Sequence, residues 1–195
     1  MAEEITRGYG LFEGFLARKR AEKAKSLIPS ELRCGRVLDI GCGATPVFLL
    51  NTGFVEKYAL DRVAPQTSFE GISFVENDLS GMLPFPDDFF DVVTMLAVFE
   101  HIEPERTKQI LAEVHRILKP PGVYIMTTPA KWSDALLRVM ARLRLVSETG
   151  MQEHKASYTR KEISLVLKEV GFGNWSSGYF ELFMNIWARA EKAVK

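Results

Sequence analysis

Two cysteines in 195 residues are too few for a disulfide framework, and no pair of potential ligands has the spacing that a metal site needs. No charge of one sign prevails: 25 Lys and Arg stand against 25 Asp and Glu. Nothing global therefore argues for a nucleic-acid partner. No apolar run reaches the roughly 20 residues of a membrane span. The N-terminus is acidic and polar and lacks the apolar stretch of a signal peptide. Internal repeats and low-complexity tracts are missing too. With 47% hydrophobic and 26% charged residues, the chain has the make-up of a cytoplasmic α/β protein, and its length fits one domain with a full core.

What is present is organised around Val37-Leu38-Asp39-Ile40-Gly41-Cys42-Gly43-Ala44-Thr45-Pro46. The apolar run with one acid reads as a buried strand. Gly41 and Gly43 follow at once, and Pro46 opens a short helix over Val47 to Leu50, where its missing N–H costs nothing. Strand, glycine turn and helix start make a pocket in which main chain can touch a ligand, because glycine has no Cβ and adopts φ values that other residues avoid. A dinucleotide fold would add a third glycine and place a pyrophosphate here. The string from Gly41 is instead Gly-Cys-Gly-Ala-Thr-Pro, and Asp39 stands two places before the first glycine. Its carboxylate would repel a pyrophosphate and suits a ligand carrying an ammonium group.

With these residues the sequence resembles the class I S-adenosylmethionine-dependent methyltransferases, whose first motif has the form acid-x-Gly-x-Gly. Thr45 departs from the glycine usual at that place. The resemblance implies a Rossmann-like, seven-stranded, mostly parallel sheet with an antiparallel last strand and helices on both faces. It also implies S-adenosyl-L-methionine as cofactor.

Further elements follow in order. A helix is expected from Leu11 to Ile28, either a solvated amphipathic helix packed on the sheet edge or a cover over the cofactor. Residues 1–30 then form an N-terminal cover and 31–195 the methyltransferase domain. Val55 to Leu60 reads as the second strand, closed by Asp61 with Arg62 beside it. An acid about 20 residues beyond the glycine turn is where nucleotide folds grip the ribose hydroxyls. The stretch from Arg62 to Gly71 is short for a crossover helix and reads as a loop. After the third strand, Ile72 to Val75, the resemblance implies that Asp78 bonds the adenine amino group and that the N–H of Leu79 meets the ring. Helix N-capping is the other reading of Asp78.

The string Leu83-Pro84-Phe85-Pro86-Asp87-Asp88-Phe89-Phe90-Asp91 leads into a fourth strand, Val92 to Leu96, and is frequent in the small-molecule branch of the resembled family. Leu96 and Ala97, at the strand's carboxyl end, are expected to line the methionine side of the cofactor. A helix opens at Pro104, with Ile110, Leu111, Val114, Ile117 and Leu118 on its buried face. Lys119-Pro120-Pro121-Gly122 ends it, and Val123 to Thr127 makes the fifth strand. Lys131 to Val146 is a basic amphipathic stretch within a lid-like insertion at about 131–150. It reads either as a lid over the acceptor or as a segment in peripheral contact with a membrane or lipid. A capping box, Thr159 and Glu162, opens the last helix. Two final strands, near Asn174 to Phe180 and Phe183 to Ala190, are joined as a hairpin.

Methyl transfer from a sulfonium is an in-line displacement, so the protein mainly aligns acceptor and methyl in a dry site. An acceptor that must lose a proton also needs a base. His101, at the carboxyl edge of the sheet, and His154, ahead of the capped helix, are the candidates; packing or helix capping is the other reading of His101. His115 follows the buried Val114 on its helix and is expected to be structural. Asp39, Gly41, Cys42 (through its backbone), Gly43, Asp61, Arg62, Asp78, Leu79, Leu96 and Ala97 make the expected cofactor site. The acceptor is expected to be a small molecule or lipid-like, with no nucleic acid. Two rival functions are a nicotinamide-dependent oxidoreductase, against which Asp39 and the absent third glycine argue, and a methyltransferase-like binding module that is inactive or needs a partner.

Overall fold

Along β1 (Arg36–Ile40), successive side chains part to opposite faces of a sheet, and both faces are covered. The computed structural model describes residues 13–133 and 155–194. The other strands are β2 (Glu56–Asp61), β3 (Ile72–Glu76), β4 (Phe90–Leu96), β5 (Leu118–Pro129), β6 (Trp175–Phe180) and β7 (Asn185–Glu191). They lie side by side in the order β3-β2-β1-β4-β5-β7-β6. All run in one direction except β7, which pairs antiparallel with both β5 and β6. This is the sheet that the sequence led us to expect.

Leu38, Ile40, Val93, Met95, Tyr124 and Met126 enter a core with α3 (Pro104–Ile117) and α4 (Arg160–Val170). Val37, Val92, Val123 and Ile125 enter a second core beneath α1 (Glu13–Leu27) and α2 (Val47–Leu50). Helices thus lie on both faces, and the alternation of period two along β1, β4 and β5 sorts residues between them. Among the described residues no helix is long and apolar enough to cross a membrane.

Several boundaries differ from expectation. α1 packs on the sheet face, not its edge, because Ala21 and Ala24 are small enough to let the helix approach β4 and β5. Phe15, one of its apolar positions, is exposed beneath the Lys19 ammonium. β5 begins at Leu118 and not Val123: Phe90 pairs with Leu118, the register shifts, and pairing resumes at Val92 with Val123. Gly122 is required at this kink, since a Cβ there would stand 2.5 Å from the Lys119 carbonyl oxygen. The connection from β2 to β3 holds no helix, as its length implied.

The proline-broken loop before β4 is held by α3. Arg116 donates to the carbonyl oxygens of Leu83 and Phe85 and to Asp87, and its other donors meet Glu113, which accepts from the Leu83 N–H. Phe85, Phe89, Phe90 and Tyr58 pack edge to face beside it. The loop is therefore a fixed part of the core.

Candidate active site

The carboxyl ends of β1, β2, β4 and β5 meet at one edge of the sheet, and the expected cofactor residues gather there. Asp39 is 4% exposed and accepts from the Thr94 hydroxyl at 2.6 Å. Burial pushes its carboxyl up to about 7, with the charge of Asp61 adding to the rise and the Thr94 hydrogen bond opposing it. Beyond it the chain turns through Gly41 at φ 74° and Gly43 at φ 72°, both in the left-handed region open to glycine. The N–H of Gly41 donates to the Leu60 carbonyl at 2.7 Å, and that of Gly43 to the Asp61 carboxylate at 2.9 Å. A Cβ on Gly41 would lie 2.2 Å from Val98 Cγ2. The turn is thus clamped between β2 on one side and the segment after β4 on the other.

That segment is itself constrained. Ala97 has φ 58°, and its N–H donates to the Thr127 carbonyl at 2.9 Å, tying the end of β4 to β5. Leu96, Ala97, Gly41, Cys42, Gly43 and Asp61 are all half-buried and form one partly open row; Arg62 next to it is exposed. Asn77 donates its N–H to the Asp61 carbonyl, which joins the third strand's exit to the same edge. Asp78 then accepts from the N–H of Ser80 at 2.9 Å, and Leu79, at φ 60°, donates its N–H to the Asn77 side chain at 2.8 Å. Hydrogen bonds from Ser80 hold the Asp78 carboxyl below the usual range. No helix follows Asp78 before β4, so its role as a helix cap is overturned; it closes a local turn instead.

His101 is half-buried and ends a single 3-10 turn, Phe99–His101, next to the Val98 that presses on Gly41. His115 lies at the opposite edge of the sheet, ring against ring with Phe172 at 5.0 Å. His154 and residues 134–146 of the expected lid lie outside the described residues. α2 is only four residues long, so main-chain N–H groups of the glycine turn, and not a helix dipole, are what this edge offers a ligand. Among the described residues no cluster of three His, Cys, Asp or Glu side chains could hold a metal ion.

Two features escaped the sequence reading. Glu100 is 2% exposed and accepts from the Thr128 hydroxyl of β5 at 3.0 Å, while its carbonyl takes the N–H groups of Lys155 and Ala156. A lone acid in an otherwise apolar run next to His101 was the available signal. The second is a set of buried polar atoms without hydrogen-bond partners: Arg20 Nε on α1, Thr127 Oγ1 on β5 and Glu181 Oε1 in the turn between β6 and β7. Asn185 donates to the other oxygen of Glu181. Burial pushes the Glu181 carboxyl up against the pull of Arg20. No local pattern marks these atoms, because they come from three separate segments.

Residues 38–126 match the family model described as a methyltransferase domain. Over this stretch, from β1 into β5, the chain is similar to a methyltransferase domain. Over 140 residues it is 26% identical to the tRNA N(3)-cytidine methyltransferase METTL2 of Gallus gallus, covering 63% of this chain and 38% of that one. Over 146 residues it is 29% identical to the methyltransferase YcgJ of Bacillus subtilis (strain 168), covering 66% and 57%. The chain therefore spans between about a third and just over half of the length of these curated relatives. A crystal structure of an S-adenosylmethionine-dependent methyltransferase from Archaeoglobus fulgidus superposes with a TM-score of 0.72 at 19% identity, covering 93% of this chain and 98% of that one. The residues present are compatible with S-adenosylmethionine: the glycine turn leaves main chain open, and the carboxyls of Asp39 and Asp61 lie beside it.

Proposed function

We propose that the protein transfers a methyl group from S-adenosylmethionine to a small-molecule or lipid-like acceptor. The observation that carries this is the Asp61 carboxylate on the N–H of Gly43. One acid at the end of β2 is thereby fixed against the glycine turn of β1, where its remaining acceptor capacity reaches the two ribose hydroxyls. Asp39 lies under the turn and supplies negative charge toward the ammonium group, while Cys42 and Gly43 present main chain. Asp78 and Leu79 border the adenine, with Arg62 at its rim, and Leu96 and Ala97 line the methionine side.

The cofactor supplies a methyl group on a positively charged sulfur. When the acceptor's lone pair forms the new bond to that carbon, the sulfur–carbon bond breaks and its electron pair stays on sulfur. The protein's part is alignment and exclusion of water. His101 is placed to take the acceptor's proton where one must be lost. The buried Glu100 holds the turn that carries this histidine.

The relative named for tRNA cytidine makes RNA the rival acceptor. The absence of net charge favours the small molecule, because RNA binding draws on a basic surface. Calorimetric titration of S-adenosylmethionine, S-adenosylhomocysteine and NAD into wild type and Asp61→Ala tests the cofactor reading. Binding of the first two alone, weakened by about tenfold or more in the variant, supports it; binding of NAD alone overturns it. Transfer of labelled methyl to bulk tRNA in preference to low-molecular-weight and lipid extracts would overturn the acceptor reading. Cofactor binding with no turnover on any acceptor would favour a module that acts only with a partner.

A further inference from the structure

The β6–β7 hairpin ends in three consecutive non-glycine residues with left-handed backbone, Glu181, Leu182 and Phe183, at φ 50°, 55° and 68°. Such a run is strained in L-residues. It also sends two large apolar side chains into solvent: Leu182 is 87% exposed and Phe183 68%. Trp132, itself exposed, donates its indole N–H to the Phe183 carbonyl at 3.0 Å, and Tyr179 stands ring to ring with Phe183 at 6.0 Å. The tip is braced, since Met184 donates to the Glu181 carbonyl and its own carbonyl accepts from Ala130 N–H and the Ser133 hydroxyl. A braced tip with leucine, phenylalanine, tryptophan and tyrosine is thereby held at the surface, at a cost to folding that its exposed side chains do not recover among the described residues.

Cations surround it from both helical layers. On the α4 side, Arg160 lies over the Tyr179 ring at 5.5 Å, and Lys131 precedes Trp132. On the α1 side, Lys19 and Arg20 act on Glu181, and Lys23 lies over the neighbouring Trp187 ring at 4.5 Å. Lys19 is paired with Glu22 and Arg20 faces the half-buried Glu181, so the charge offered outward rests on Lys23, Lys131 and Arg160.

We infer that this tip docks the protein on an anionic lipid surface, with Leu182 and Phe183 entering the interface, Trp132 and Tyr179 at headgroup depth, and the collar of Lys and Arg against lipid phosphates. A protruding apolar point ringed by cations fits a yielding, negatively charged layer. A protein partner would have to provide a groove lined with acids. The carboxyl end of β6 shares its edge with the glycine turn, so docking turns the site toward the lipid. That consequence suits a lipid-like acceptor and rests on the proposed function; the docking itself does not.

Sedimentation of the full chain with vesicles of phosphatidylcholine, with and without phosphatidylglycerol, tests the inference. Wild type is expected to partition about tenfold more strongly to the phosphatidylglycerol vesicles, and about 0.5 M salt to weaken this. Leu182→Ser/Phe183→Ser is expected to lose about tenfold or more of that binding, and Lys23→Gln/Lys131→Gln several-fold, each with unchanged S-adenosylmethionine affinity and unchanged thermal midpoint. Absence of wild-type partitioning, equal binding to both vesicle types, or full binding by the tip variant would each overturn it. So would tip-dependent self-association without lipid, which would assign the surface to a second copy of this chain. Cofactor titration of the same samples reports separately on the methyltransferase reading.

Discussion

The carboxylate of Asp61 accepts a hydrogen bond from the main-chain N–H of Gly43 at 2.9 Å. The second strand thereby fixes the turn that follows the first, and in the proposed function the same side chain also holds the ribose. Asp61→Ala removes both services and is expected to weaken S-adenosylmethionine binding by about ten- to a hundred-fold, the range for a hydrogen bond to a charged group. Asp61→Asn keeps an oxygen for Gly43 but loses the charge, and is expected to fall between. Calorimetric titration of the three proteins checks the order.

Gly41 cannot take a side chain without conflict. Alanine there would hold φ 74° and put its Cβ 2.2 Å from Val98 Cγ2. Gly41→Ala is expected to destabilise the fold by about 1–3 kcal/mol and to weaken cofactor binding, as the turn shifts against Asp61. Adding Val98→Ala should recover the part due to the clash and leave the part due to φ. Gly53→Ala, with nothing within 4 Å of the added Cβ, is expected to change stability by no more than about 0.5 kcal/mol. Urea denaturation of the wild type and these three variants separates the terms.

The sheet was legible because β1, β4 and β5 are apolar runs bounded by glycine and proline, and because the Asp39, Gly41, Gly43, Asp61 series keeps nucleotide-fold spacing. α4 was legible from its capping box, whose Thr159 and Glu162 bonds are both present. What could not be read depends on contacts between distant segments. The start of β5 is set by a register shift against β4, and the position of α1 by how closely Ala21 and Ala24 approach the sheet. Likewise the facing of Arg20 on α1 and Glu181 in the turn between β6 and β7 arises only in the fold. The helix-cap alternative for Asp78 stayed open in the sequence because an acid after a strand looks alike whether a helix or a tight turn follows.

Arg116 is expected to resist even conservative replacement. Its guanidinium makes five hydrogen bonds, to the carbonyls of Leu83 and Phe85, to Asp87 and to both oxygens of Glu113. A lysine ammonium has three donors at one point and cannot span them. Arg116→Lys should therefore cost about 1–3 kcal/mol and open the loop around Pro84 and Pro86 to proteolysis, while Lys108→Arg on the exposed side of the same helix should do neither. Thermal midpoints and limited proteolysis read both effects.

The last prediction concerns pH. Burial raises the Asp39 carboxyl to about 7, whereas an unfolded aspartate titrates near about 3.9. Between those values the folded chain holds a proton that the unfolded chain has released. The stabilisation from that proton is fully present below about pH 4 and is lost as pH rises through about 7, with a slope of up to about 1.4 kcal/mol per pH unit. Asp39→Asn retains an oxygen for the Thr94 hydroxyl but cannot titrate, so its stability should fall less steeply across this window in urea denaturation. The ligand's ammonium group favours the ionised form, so cofactor affinity should move the opposite way and rise as pH passes 7. Titrations at pH 6 and pH 8 are expected to show this rise in wild type and not in Asp39→Asn; parallel pH profiles in the two proteins would remove Asp39 from the ammonium site.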